Sequence, residues 1–261
     1  MNQTEIWLKK GISFLDLANY SQARQYFDKI IEIDNSNVLA NYHKAISYVR
    51  ESNDSSAKEF FLEVLKHDLK NGLTYIHLGN IERKNQEYEN AINYYRKAIL
   101  YYNDEHMDLL YFNFGKSILD YLDFLIDYNS DEEIDKLKLN EEALNAFIKV
   151  IDINPTNDKV IYEVASLYFY EFSNYQKAKK YFVQLLEILN ENNKQISLKK
   201  MVYPCLIICE SYLGNFDQSI DYIKQGLQIN SNLIKILKRD SIFKSILKTN
   251  DSFNSKIENL S

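Results

Sequence analysis

Gly11, Ala45 and Gly79 lie 34 residues apart, and Ala23, Ala57 and Ala91 keep the same step. The aromatics Phe27, Phe61 and Tyr95 follow it too, as do Ile30, Val64 and Ala98. A chain that returns the same small and aromatic residues at a fixed step builds one supersecondary unit over and over. A period of about 34 belongs to a helix-turn-helix unit stacked into a solenoid, where each unit buries its apolar face only against its neighbours. Breakers are sparse, with 6 Gly and 2 Pro in 261 residues, which suits many helices joined by tight turns.

Residues 4–37 read Trp7-x-x-Lys10-Gly11-x-x-Phe14 for an opening helix, Asn19-Tyr20 for a turn, and Ala23-x-x-x-Phe27-x-x-Ile30 for a second helix ending at Asp34-Asn35. This resembles the tetratricopeptide repeat, W-x2-L-G-x2-Y followed by A-x3-F and P. Lys10 stands in an apolar place and Asn35 replaces the closing proline. Gly11 and Ala23 are expected where the two helices cross closely, because a larger side chain would force them apart. Phe27 is expected to fill the space between one unit and the next. A second unit spans about 38–71, with Ala45, Tyr48, Ala57, Phe61 and Val64 but Asn41 in the Trp place. A third spans about 72–105, with Tyr75, Leu78, Gly79, Tyr88, Ala91, Tyr95 and Ala98.

The fourth unit, about 108–157, opens with Tyr111, Phe114, Gly115 and Ile118 and closes with Ala143, Phe147, Val150 and Pro155. Gly115 and Ala143 are 28 residues apart, against 12 for Gly11 and Ala23, so 16 extra residues lie between its helices. The fifth, about 158–192, carries Ile161, Val164, Ala165, Tyr168, Tyr175, Ala178, Phe182 and Leu185, with one residue added at the turn. The sixth, about 200–233, is the most divergent: Tyr203, Leu206, Glu210, Gly214, Asn215, Phe216, Ser219, Ile223 and Gly226. Its Pro204 is expected in the first turn of a helix or at a kink. Residues 234–261 resemble the closing segment of such arrays, with Asp240-x-x-Phe243-x-x-Ile246 and Asp251-x-Phe253; a cap is needed because the last unit would otherwise expose an apolar face. The expected fold is therefore an all-α, right-handed α-solenoid of six repeats over residues 4–233, with a helical cap at 234–261.

Several function classes are disfavoured. Net charge is -6 with Lys and Arg spread along the chain, whereas a duplex-binding protein needs a basic face to displace counterions from phosphates. No run approaches the roughly 18 apolar residues of a membrane span, and Met1 to Glu5 lacks the start of a secretory signal. Cys205 and Cys209 read as reduced core thiols, since C-x-x-x-C without a neighbouring His is poor metal spacing. A cytoplasmic location is expected. Glycine-rich phosphate loops, Gly-x-Ser-x-Gly and His-Glu-x-x-His are all missing, so no enzyme, cofactor or metal is expected.

A second apolar stripe runs beside the motif stripe on each opening helix. It comprises Leu8, Ile12 and Leu15, then Leu39, Tyr42, Ile46 and Val49, then Leu73 and Ile76, then Leu109, Phe112 and Leu119, and finally Tyr162 and Phe169. A helix apolar nearly all round is buried on both sides or faces a partner. The resemblance implies that opening helices line a concave, peptide-binding surface, so these residues are expected to form an aromatic-rich groove for a helix or extended peptide of a partner protein. The expected function is an interaction scaffold; the alternative is a peptide-sensing module whose solenoid changes shape on binding. Some members of the family hold acidic chaperone tails with a clamp of Lys and Asn, then Asn, then Lys and Arg. Asn80, Asn113 and Lys159 are the nearest fit here, but Ile76 and Glu163 occupy the places of the first Lys and the Arg. A Glu facing a carboxylate repels it, so that clamp is broken. His43 and His77, 34 residues apart, are expected as polar groups of the groove, too far apart for the roughly 2 Å bonds of a shared metal. His67 and His106 read as loop or surface residues.

The insertion, Tyr121 to Leu139, is acidic: Asp123, Asp127, Asp131, Glu132, Glu133 and Asp135. Asp127-x-Asn129-x-Asp131 partly matches a calcium loop, but Glu132 replaces the turn glycine and Lys138 the closing bidentate Glu. The reading adopted is that both helices of this hairpin are about two turns longer. Ser130 and Glu133 would form a capping box for the second, and Leu122, Leu125, Ile126, Ile134 and Leu137 would zip the extension together. It would project as an acidic prong, with Asp123, Asp127, Asp131, Glu132 and Glu133 as a second contact surface.

Overall fold

The structure is a computed structural model that describes residues 2–103, 105–127, 135–192 and 195–260. Among the described residues every regular element is helical. The chain divides into two compact units, Met1–Glu132 and Glu133–Ser261. The first holds α1 (Gln3–Asp16), α2 (Tyr20–Ile31), α3 (Val38–Arg50), α4 (Asp54–His67), α5 (Gly72–Lys84), α6 (Tyr88–Tyr101) and α7 (Met107–Asp127). The second holds α8 (Lys136–Ile153), α9 (Asp158–Ser166), a π-helical segment (Leu167–Glu171), α10 (Tyr175–Asn192), α11 (Ile196–Tyr212) and α12 (Phe216–Leu227). It ends with α13 (Leu233–Leu237), α14 (Ser241–Thr249) and α15 (Asp251–Glu258). Within each unit every helix packs on the next in sequence through α12, as antiparallel hairpins stacked into a solenoid. In the second unit α13 and α14 pack on α11, and α15 on α12.

Asparagine punctuates these hairpins. Asn2, Asn37, Asn71 and Asn157 cap the opening helices α1, α3, α5 and α9, each accepting a backbone N–H three residues on. Asn19, Asn53 and Asn174 do the same for α2, α4 and α10. Each cap satisfies a donor the helix start leaves open, worth about 1 kcal/mol against Ala. The residue before the second helix's cap takes the left-handed conformation that reverses the chain. It is Ala18 (φ 57°), Ser52 (φ 59°), Gln86 (φ 64°) and Ser173 (φ 48°), and a glycine, Gly214 (φ 80°), only in the last hairpin. In the first three hairpins the following N–H bonds to the carbonyl five residues back, as in Asn53 N to Tyr48 O at 2.9 Å.

The fifth hairpin departs from this geometry. Its turn has one extra residue, and α9 passes into the π-helical segment Leu167–Glu171 before turning. Phe172 N bonds to Leu167 O five residues back, and Asn174 N to Tyr168 O six back, at 2.7 Å. A single insertion is thus absorbed as a π-bulge within the helix rather than as a longer loop.

The core follows the 34-residue period. Ala23, Ala57, Ala91, Ala143, Ala178 and Ser219 are fully buried, as are Phe27, Phe61, Tyr95, Phe147, Phe182 and Ile223. Gly11 and Gly79 are set against the aromatic rings of their own repeats: a Cβ on Gly11 would collide with Phe27, and one on Gly79 would lie 2.8 Å from Tyr95 Cε1. The rings also reach the following repeat, Phe27 stacking on His43 and Phe61 on His77 with centroids 5.9 and 5.0 Å apart. Where Trp7 has no counterpart, Asn41 is buried and bonds the carbonyls of Asn35 and Asn37, both at 3.0 Å.

Two sequence expectations change. Pro204 lies eight residues into α11, beyond its first turn, so a helix start does not account for it. In the fourth hairpin α7 has 21 residues against 13 in α3 and α5, but α8 has 18 against 14 in α4 and α6. The second helix gains one turn, because Asp135 caps α8 by accepting from Lys138 N at 3.0 Å. Ser130, Glu133, Asn129 and Ile134 lie outside the described residues. Leu122 and Leu125 are buried, but Ile126 and Leu137 are 61% and 58% exposed and do not zip the extension.

Truncating Phe27 to Ala should cost about 3–5 kcal/mol, because the ring is wedged between two repeats; a loss below about 1 kcal/mol in denaturant melts would contradict that role. Gln86→Gly should stabilise the protein by about 0.5–1 kcal/mol, since glycine relieves the left-handed strain. The same melts check it, and a loss of stability would show the side chain outweighs the backbone.

Candidate partner-binding face

In the first unit, the opening helices α1, α3, α5 and α7 are joined to one another along one face. Arg50 Nη1 donates to Leu15 O at 3.1 Å, linking α3 to α1. Tyr42 Oη and His77 Nε2 are hydrogen-bonded at 3.1 Å, linking α3 to α5. Arg83 grips Asp120 through Nε and Nη2 at 3.1 and 2.8 Å, linking α5 to α7. The candidate residues sort by depth on this face. Leu39, Leu73 and Leu109 are exposed at 54%, 43% and 57%, each six residues before the small residue of its helix, Ala45, Gly79 or Gly115. Leu8, Ile12, Tyr42, Ile46, Val49, Ile76, Phe112 and Leu119 are half-buried. Leu8, Ile12 and Ile46 rest on the cluster of Leu15, Ala23 and Phe27. Leu15 itself is core at 3% exposure, because Ile12 and Leu8 cover it, so it does not line the face.

An aromatic–imidazole ladder underlies the face. Tyr42 meets Phe61 edge-on with centroids 5.8 Å apart, and His77 stacks on the same Phe61 ring. Burial depresses the His77 pKa to about 4 and raises that of Tyr42 to about 12, so both are neutral at pH 7. Burial also lowers His43, against a smaller opposing pull from Asp16. The two histidines therefore each stack on the preceding aromatic rather than pairing with each other. Asn80 and Asn113 do come together, Nδ2 of Asn113 lying 3.4 Å from Oδ1 of Asn80. That oxygen already accepts from Tyr95 Oη at 2.6 Å. His67 sits beside Glu63 at the end of α4, and His106 is an exposed turn residue.

Tyr162 and Phe169 belong to the second unit. Tyr162 is half-buried with its ring edge-on to Phe182. Phe169 is core, 4% exposed and packed by Tyr170, Tyr175 and Phe182; the π-helical segment turns it inward and leaves its neighbour Tyr170 62% exposed. Cys205 and Cys209 are buried and free, and burial pushes both thiols up. Of the acidic surface, Asp123 and Asp127 are exposed on α7, whereas Asp131, Glu132 and Glu133 lie outside the described residues. Among the described residues no cluster of His, Cys, Asp and Glu could hold a metal ion.

Sequence reasoning missed the charged bolts between repeats. Glu82 and Glu210 occupy the place filled by aromatics in Tyr48 and Tyr168 and are buried at 2% and 1%. Lys58, from the preceding repeat, meets Glu82 at 2.5 Å, and Lys179 meets Glu210 at 2.9 Å. Between the first two repeats Arg24 lies over the Tyr48 ring, 4.6 Å from its centroid, and pairs with Glu51. The available signal was a cation one residue after Ala57 and Ala178, matched by a Glu in the next opening helix.

The family pattern of the tetratricopeptide repeat matches residues 4–37 and 73–105, the first and third hairpins. The chain carries tetratricopeptide repeats in these two hairpins. Solved structures share the fold. MamA has 21% identity and a TM-score of 0.56, over 73% of this chain and 94% of its own. YrrB, described as a TPR protein with an unusual peptide-binding site, has 21% identity and a TM-score of 0.55, over 70% of this chain and 84% of its own. PilF of Pseudomonas aeruginosa has 17% identity and a TM-score of 0.53, over 95% and 97%. No curated protein sequence matches the repeat protein, and no described helix is long and apolar enough to cross a membrane.

The depressed His77 pKa has a consequence for stability. Unfolding returns His77 to about 6.5, so the unfolded chain takes up its proton first as pH falls. The stability held by neutral His77 is full above pH 6.5 and is lost between 6.5 and about 4, by about 3 kcal/mol at most. His77→Gln should flatten the pH dependence of the unfolding free energy in that window; equal slopes for the two proteins would disprove the linkage.

Proposed function

We propose that this protein is a non-enzymatic interaction scaffold that holds a peptide or helix of a partner protein against the opening-helix face of its first unit. The observation that carries this reading is the row Leu39, Leu73 and Leu109, exposed at one register position on α3, α5 and α7. Isolated exposed leucines are ordinary, but a recurring apolar position beside half-buried Tyr42, Ile46, Ile76 and Phe112 offers a continuous strip for apolar anchors. Packed helices lie about 8–10 Å apart. A bound helix would place residues i and i+7 about 10.5 Å apart, close to that step, and its anchors would settle between successive opening helices. The peptide-binding site named for YrrB supports the class of ligand. Paired free thiols at Cys205 and Cys209 support a reducing, cytoplasmic setting.

Affinity capture tests the proposal with the wild type and a Leu73→Asp, Leu109→Asp variant. Both side chains are exposed, so circular dichroism should find the variant folded. The captured partner should bind at least about tenfold more weakly, and hydrogen exchange in α3, α5 and α7 should slow when it binds the wild type. Unchanged capture by the folded variant would overturn the assignment of this face.

A further inference from the structure

The last 29 residues carry a charge pattern opposite to that of the insertion. Residues 121–135 hold six carboxylates and no Lys or Arg, whereas residues 233–261 hold six cations and three carboxylates. Three of those cations, Lys235, Lys238 and Arg239, line one cleft of about 460 Å³ at the C-terminal cap. Leu227, Ile234 and Leu260 supply its apolar lining, and no carboxylate lines it. Asp240, the nearest acid in sequence, instead accepts from Phe243 N at 2.8 Å as the cap of α14. The side chains of Lys235, Lys238 and Arg239 make no hydrogen bond or ion pair among the described residues, unlike Lys256 on the neighbouring surface, which pairs with Asp217 at 3.0 Å. Cations crowded around an apolar hollow without counter-charge repel one another and are relieved by an anionic, partly apolar occupant.

The protein's own surface carries such a group. Asp123, Ile126 and Asp127 are spaced i, i+3 and i+4, so they share one face of α7. All three are exposed, Ile126 at 61%, while Leu122 and Leu125 on the opposite face are buried. This is an aliphatic knob between two carboxylates, the chemical complement of an aliphatic hollow among three cations. We propose that the α7 knob of one copy docks into the C-terminal cleft of another, giving head-to-tail self-association. The contact joins two different surfaces, so it propagates into chains or closes into rings rather than stopping at a two-fold dimer. Because its charges are exposed at the rim, it weakens as salt rises. The knob continues the Leu119 stripe at the end of α7 but does not use Leu39, Leu73 or Leu109, and the Leu73→Asp, Leu109→Asp variant should still self-associate, so failure of this contact leaves the scaffold reading untouched.

The test is a charge swap on the full chain, read by light scattering coupled to size-exclusion chromatography at low and high salt. Wild-type mass should rise with concentration above the 30.9 kDa of one chain at low salt and fall back at high salt. D123K/D127K and K235E/K238E, each shown folded by circular dichroism, should each weaken association about tenfold or more. Mixed, they should associate again into alternating assemblies, because each variant's knob then meets a cleft of opposite charge on the other, whereas each variant alone sets like charges together. A wild type monomeric throughout, swaps that leave association unchanged, or a mixture that does not pair would each overturn the proposal.

Discussion

Every repeat but the last depends on one aromatic ring on its second helix. Phe27, Phe61 and Tyr95 are fully buried, and their rings contact two helices. On one side lies the small residue of the same hairpin, where at Gly11 and Gly79 even a methyl group would collide with the ring. On the other lies the next opening helix, whose His43 or His77 stacks on the ring. The same contact therefore closes a hairpin and stacks it on its neighbour. Removing one ring loosens both, and no separate mechanism is needed to join the repeats.

A stack held only by apolar wedges would tolerate sliding, and the buried ion pairs oppose it. Lys58 with Glu82 and Lys179 with Glu210 recur at equivalent interfaces in the two units. Such pairs add little net stability, because desolvating the carboxylate offsets most of the Coulomb gain. Their effect is directional: a slip of one residue would leave a buried Glu without its Lys, a penalty of several kcal/mol. Arg24 on Tyr48 does comparable work with a cation over a ring, without burying a carboxylate.

With the hairpins fixed in this way, the side chains left over become available for binding. The apolar stripe read as a groove turns out to be layered. Leu15 and Phe169 belong to the core, Tyr42 and Ile46 are half-buried supports, and Leu39, Leu73 and Leu109 reach solvent. The Tyr42–His77 bond ties the supports of two repeats together, which holds this layer firm. The acidic end of α7 continues beyond Leu119 of this layer, the basic cleft of the cap lies far from it in sequence, and both carry a different chemistry.

The sequence by itself determined the repeat, its step and its core. Fixed spacing of small and aromatic residues admits no other packing, because each must meet its partner once per hairpin. It also showed that the fifth repeat is one residue longer, although it placed that residue at the turn. What it could not carry was anything decided by atoms distant in the chain. Ala18, Ser52 and Gln86 give no hint of left-handed turns, since the strain is imposed by the hairpins on either side. The added residue became a π-bulge because packing held both flanking helices in place. The helical period put Leu15 and Leu39 on one stripe, but only the neighbouring helices settled that one is sealed and the other open. Burial is a property of what arrives from elsewhere, and for that reason the exposed apolar layer was legible only in the tertiary structure.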